Sequence, residues 1–172
     1  MKKIMFNDKF MLTQAVLNGT KTMTRRVIKK EIPIGNWQET EKMLRYKIGE
    51  VVAIAQCYLD IKKPQFDKFG HDVAGNTNKM FVRADLMPHH IKITDVSVER
   101  LQDISDDDCL KEGIIHLTAL GIGGYGYITA DGKCCMCDTS REAFAELINE
   151  VCGKDAWERN PWVEAYTFEK VD

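Results

Sequence analysis

The chain has 172 residues, 44% of them hydrophobic and 29% charged, with a formal net charge of −2. That length can bury a core without metals or disulfides, and the composition is that of a globular rather than a disordered chain. The slight acidity argues against a duplex-DNA binder that works by bulk phosphate neutralisation, since that needs many Lys and Arg, and leaves room for a local basic patch.

Residues Lys9 to Asn18 predict a short helix. Asp8 can cap it, Leu12 and Val16 pair at i, i+4, and Gly19 suits the position past its end. Thr22–Ile28, β-branched and polar by turns, predicts a strand. Residues 29–46 are charged without periodicity and predict a surface loop. A turn at Lys47–Glu50 leads into a strand over Val51–Leu59, and Pro64, Gly70 and Gly75 mark a second loop over 60–79.

Met80–Leu101 reads as β again. Ile91 and Ile93 share one face while Val96 and Val98 fall out of phase by one, as a bulge near Thr94-Asp95 would produce. Ser105 starts an acidic helix whose first turn, Asp106 to Asp108, suits the positive end of the helix dipole, and Gly113 ends it. Residues 118–138 are Gly-rich, with a hairpin turn at Asp131-Gly132. Thr139 and Glu142 form a capping box for Ser140–Cys152, where Phe144, Leu147, Ile148 and Val151 make one apolar stripe. Asn160-Pro161 turns into a last strand, Trp162–Val171, with Trp162 expected in the core. Separated strands with three short helices predict an α+β fold: a small β-barrel with short flanking helices. It is expected as a single domain over residues 1–172, with loop insertions around 60–79 and 118–138.

The densest polar run is Thr20 to Lys30. In a strand, Thr22, Thr24 and Arg26 share one face, and Met23, Arg25 and Val27 the other. Two hydroxyls and a guanidinium on one face can hold a phosphate or the polar edge of a base. Lys21, at the helix-to-strand turn, can lean over the same face. The bland alternative is a solvated edge strand whose charges keep it soluble.

Gly19-Thr20-Lys21-Thr22-Met23-Thr24-Arg25-Arg26 resembles the G-x-K-x-x-x-x-R signature of ASCH domains, members of the PUA-like superfamily. Val98–Ser105 followed by Glu112-Gly113-Ile114, and Trp157–Val163, are similar to segments of the larger ASCH proteins of phage and prophage genomes. The chain departs from them at Cys57-Tyr58 and His89-His90, where members often carry tryptophan. The resemblance implies a PUA-like β-barrel and a cleft that takes RNA, a nucleotide or a nucleoside. Lys21, Arg25 and Arg26 would then meet phosphate, and Thr22 and Thr24 would hydrogen-bond the ligand. One branch of the family removes acyl groups from cytidine, and its catalytic roles fall on Lys21, Thr24 and Glu112. A desolvated Lys21 would take the Thr24 hydroxyl proton, Thr24 would attack the amide carbon, and Glu112 would protonate the leaving amine. Arg26 would steady the oxyanion. That triad needs a turn at Lys21-Thr22, because residues three apart in a strand face opposite ways with roughly 10 Å between their Cα atoms. A third reading is an accessory protein acting through a protein partner.

Glu112 reads equally well as a plain surface charge at the end of its helix. Cys134-Cys135-Met136-Cys137 offers one C-x-x-C pair, but no second ligand pair stands at a matching spacing, so no metal and no cofactor are expected. His89 and His90 point to opposite faces if they enter a strand, and at most one can reach the cleft. No apolar run reaches membrane-span length, and the basic start is not followed by an apolar stretch. A cytoplasmic protein with free thiols is expected, with no membrane partner.

Overall fold

The structure, a computed structural model, describes the chain apart from residues 30 and 34 and the side chains at 119 and 120. Lys30, which closes the polar run, therefore lies outside the described residues. After β1 (Lys3–Ile4), the expected first helix breaks in two. Asn7, not Asp8, caps a single 3-10 turn, and Met11 takes left-handed backbone at φ 55° before α1 (Leu12–Leu17). Gly19, at φ +76°, turns the chain towards β2 (Met23–Val27).

The segment expected as loop contains α2 (Trp37–Met43), capped by Asn36. It buries only Thr40, so it has no apolar stripe to betray it. β3 (Val51–Ile54) ends at Ile54 rather than Leu59, and the residues before β4 (His90–Arg100) form 3-10 turns instead of strand. α3 (Asp106–Lys111), capped by Ser105, leads to β5 (Ile115–His116), β6 (Tyr125–Ile128) and β7 (Cys134–Cys137). The Thr139–Glu142 capping box starts α4 (Ser140–Cys152), and β8 (Trp162–Lys170) closes the chain.

The strands form two sheets, ordered β1-β3-β4-β8-β2 and β5-β6-β7. Only the β1–β3 pairing is parallel. The β4–β8 register slips between Ile93 and Asp95, which puts Ile93 and Val96 on one buried side despite their odd spacing. The expected closed barrel gives way to an open sheet: β1 and β2 are its edges, and no ladder joins them among the described residues. Arg26 reaches across that gap, its Nη2 donating to Met5 O at 2.7 Å.

Ile54, Ile91, Ile93, Val163 and Tyr166 fill the main core together with Phe144, Leu147 and Ile148 of α4. Val151, expected in the same stripe, is 39% exposed. Trp162 is half-buried rather than a core residue: its ring lies under the Arg100 guanidinium, 4.4 Å from its centroid, while Val163 takes the interior position. A separate cluster of Ala53, Ala55, Tyr58, Val82 and Met87 holds the excursion between β3 and β4. Among the described residues, no helix is long and apolar enough to cross a membrane.

Candidate ligand-binding cleft

A cleft of about 1370 Å³ opens along the gap between the chain after β1 and strand β2. That exceeds the roughly 300–1,000 Å³ common for small-ligand pockets. Phe6 lines one wall, Thr24 and Arg26 of β2 another, and Leu147, Ile148 and Val151 of α4 a third. Lys21 and Glu112 reach the same space.

Lys21 stands before the strand, its amide donating to Ala15 O at 3.0 Å. The turn removes the face conflict between Lys21 and Thr24. Lys21 Nζ donates to the Glu112 carboxylate and to the Glu112 carbonyl, each at 2.6 Å, and both side chains are buried. Burial holds the Lys21 ammonium below the ordinary lysine range; Glu112 opposes that, and Arg26 and Arg25 reinforce it. Glu112 is therefore an interior residue, not a surface charge. Gly113, at φ +106°, turns the chain just past Glu112, and a Cβ there would crowd Leu12 Cδ2 at 3.1 Å.

Arg25 departs from its expected phosphate role. Its Nε donates to Glu99 at 2.8 Å, Nη2 to Asp108 at 3.1 Å and Nη1 to Glu112 at 3.3 Å. Three carboxylates hold it at the margin of the cleft, and its side chain is 1% exposed. Burial is outweighed by Glu112, Glu99 and Asp108, so its pKa is raised. The register explains the contact. Arg25 pairs with Ala165 and Ala165 with Ser97, so Glu99, two residues along β4, shares their face. Thr22 also leaves the site: it bonds through its backbone to Lys111 and Phe168 and does not line the cleft.

Thr24 is 6% exposed, and its hydroxyl has no hydrogen-bond partner among the described residues. Arg26 has one protein acceptor, Met5 O, and its buried Nε has none. The Phe6 ring lies near both cations, 6.0 Å from Lys21 Nζ and 5.9 Å from Arg26 Cζ. Eight residues lining the cleft are Lys or Arg against three acidic ones, in a chain of net charge −2.

Sequence reasoning missed Arg45 and the half-buried carboxylates Glu99 and Asp108. Arg45 follows a helix with no apolar stripe, and the two carboxylates meet Arg25 only through strand register and the packing of α3. His90 pairs with Asp172 through its backbone amide at 2.9 Å and its ring, His89 Nδ1 is 3.8 Å from the same carboxylate, and neither lines the cleft.

In β7, Cys134 and Met136 face out while Cys135 and Cys137 pack inward, so the C-x-x-C pair points to opposite faces. Among the described residues, no three His, Cys, Asp or Glu side chains gather as a metal site.

No family model and no curated protein sequence matches this chain. Among solved structures it is similar to a protein of Enterococcus faecalis V583 assigned to the DUF984 family, at 16% identity and a TM-score of 0.41, over 94% of this chain and 67% of that one. It is also similar to an ASCH domain from Lactobacillus crispatus JV V101, at 13% identity and a TM-score of 0.41, over 96% of this chain and 75% of that one. Likeness at that level leaves the site to be argued from the residues themselves.

Proposed function

We propose that this chain is a PUA-like domain of the larger, phage- and prophage-type ASCH class, one domain over residues 1–172, that recognises RNA or a nucleotide in the cleft around Lys21, Thr24, Arg26 and Glu112. The three sequence blocks at 19–26, 98–114 and 157–163 support the class. The observation that carries the function is the lining of the cleft: eight cationic residues, among them Arg26 with a buried Nε that has no acceptor among the described residues, together with Thr24 and the aromatic ring of Phe6. An anion with an attached flat or apolar group suits that lining.

A second reading is an amidohydrolase acting on acylated cytidine or a similar modified nucleoside. It is favoured by the buried Lys21–Glu112 contact and the depressed Lys21 pKa in a cleft that Thr24 also lines. Lys21, after passing its proton to Glu112, would take the Thr24 proton as Thr24 bonds the amide carbon, Glu112 would hand its own to the amine as the C–N bond breaks, and water would then cleave the acyl–Thr24 ester to release the acid.

One pair of variants separates the readings. For a binding protein, Thr24→Val leaves RNA or nucleotide affinity within roughly threefold, while Arg26→Ala weakens it and flattens its salt dependence. For the enzyme, Thr24→Val abolishes turnover with little change in affinity. Acetylated cytidine incubated with the wild-type protein and followed by chromatography reads turnover directly. Absence of binding to any nucleotide or RNA, with no turnover, would sink both.

A further inference from the structure

We infer that the outer part of the cleft is a phosphate subsite made by Arg26, Lys29, Arg45 and Arg159, so that the ligand is a phosphorylated nucleotide rather than a bare nucleoside. This rests on the nucleotide reading above and narrows it. The cations lining the cleft divide into two sets. Lys21 and Arg25 are held by Glu112, Glu99 and Asp108, Lys79 by Asp8 at 2.6 Å, and Lys9 by Glu150 at 3.0 Å. The other four line the cleft and form no ion pair among the described residues.

These four come from separate parts of the chain: β2, the residues just after it, the link between α2 and β3, and the turn before β8. Folding brings like charges together, which is unfavourable unless an anion sits among them. Their fields overlap: Arg26 feels Arg45, and the Cys152 thiol at the end of α4 feels Arg26, Lys29 and Arg159.

Exposed lysines and arginines alone would be solvated surface. Arg26 is different: among the described residues its buried Nε has no acceptor, and Met5 O is the one hydrogen-bond partner of its side chain. Glu164, its cross-strand neighbour, does not answer it; that carboxylate accepts from the Tyr166 hydroxyl at 2.6 Å. A buried charged donor left unpaired is costly, and a phosphate oxygen would satisfy it. Guanidinium forks match phosphate oxygens in paired hydrogen bonds, and three of the four groups are guanidinium. Thr24 and Phe6, which also line the cleft, are then left for the nucleoside end.

The test is calorimetric titration of the full chain with adenosine, cytidine, guanosine and uridine, their 5′-monophosphates, inorganic phosphate and a short uridine-rich RNA. Arg45→Ala and Arg159→Ala remove exposed side chains, and circular dichroism checks that both variants fold. At least one monophosphate should bind roughly tenfold or more tighter than its nucleoside, and each variant should weaken it roughly three- to tenfold while leaving the nucleoside unchanged. RNA bound through the same residues also supports the subsite, with a salt slope that falls by about 0.7 for each phosphate no longer neutralised. RNA binding that both variants leave intact counts against it. If nucleoside and monophosphate bind alike, or the variants weaken both equally, the subsite is wrong while the cleft reading stands. If inorganic phosphate binds as well as every monophosphate, the subsite stands and the nucleotide reading falls. No binding by any probe overturns both.

Discussion

At the scale of single residues, Glu112 decides how the cleft is built. One carboxylate oxygen takes Lys21 at 2.6 Å and the other takes Arg25 at 3.3 Å, so a single group compensates two buried cations. Buried ion pairs stabilise little against an apolar replacement, but removing one partner leaves a charge with nothing to balance it. Glu112→Ala should therefore cost about 3–5 kcal/mol, read from denaturant unfolding. Replacing both partners, as Lys21→Met with Glu112→Gln, should recover part of that loss. Equal destabilisation in the single and double variants would show that the cost comes from packing and not from charge. Arg25 remains anchored by Glu99 and Asp108 in both cases, which keeps β2 tied to α3.

At the scale of elements, the turn after α3 fits the site together. Gly113 follows Glu112 at φ +106°, and a Cβ there would stand 3.1 Å from Leu12 Cδ2. Gly113→Ala adds left-handed strain to that crowding, so it should destabilise the protein by about 1 kcal/mol or more in thermal unfolding. An unchanged melting temperature would show that the turn accepts a side chain without cost. Much at this scale was legible in the sequence. Capping chemistry located α3 and α4, and the phase slip between Ile93 and Val96 located the bulge in β4. Elements without an apolar pattern were not: α2 buries a single threonine, and the 3-10 turns before β4 resemble strand because their residues are apolar in short runs. The site was half legible. Lys21, Thr24, Arg26 and Glu112 could be picked out by type and resemblance, and they do line one cleft. The partners of Arg25 needed the β2–β8–β4 register, which no local pattern encodes.

At the scale of the whole molecule, net charge says little about the cleft, because the acidic residues lie mostly elsewhere and folding concentrates Lys and Arg along one open edge. The same sheet carries a second, smaller cluster on the other side of β3, and this gives the chain parts of unequal stability. Residues between β3 and β4 are held by Tyr58, which is 2% exposed, with Ala53, Ala55, Val82 and Met87 around it. The Tyr58 hydroxyl accepts from the Arg83 amide, and its ring lies so close to Gly75 that a Cβ there would be 2.5 Å from Tyr58 Cε2. Tyr58 is the largest buried side chain of this excursion, with Asn76 tying Gln65 and Asp72 together and Lys3 reaching the Met80 and Val82 carbonyls, whereas β4 and β8 share a long ladder through the main core. Local opening free energies follow such differences in burial. Tyr58→Ala should remove about 3–5 kcal/mol from the excursion, the usual cost of deleting a buried aromatic ring. Hydrogen exchange should then show residues 60–80 losing protection first while the β4–β8 amides keep theirs, and nucleotide binding should persist, because apart from Lys79 no residue of the excursion lines the cleft. Uniform loss of protection across β4 and β8 would mean that the two clusters unfold as one cooperative unit.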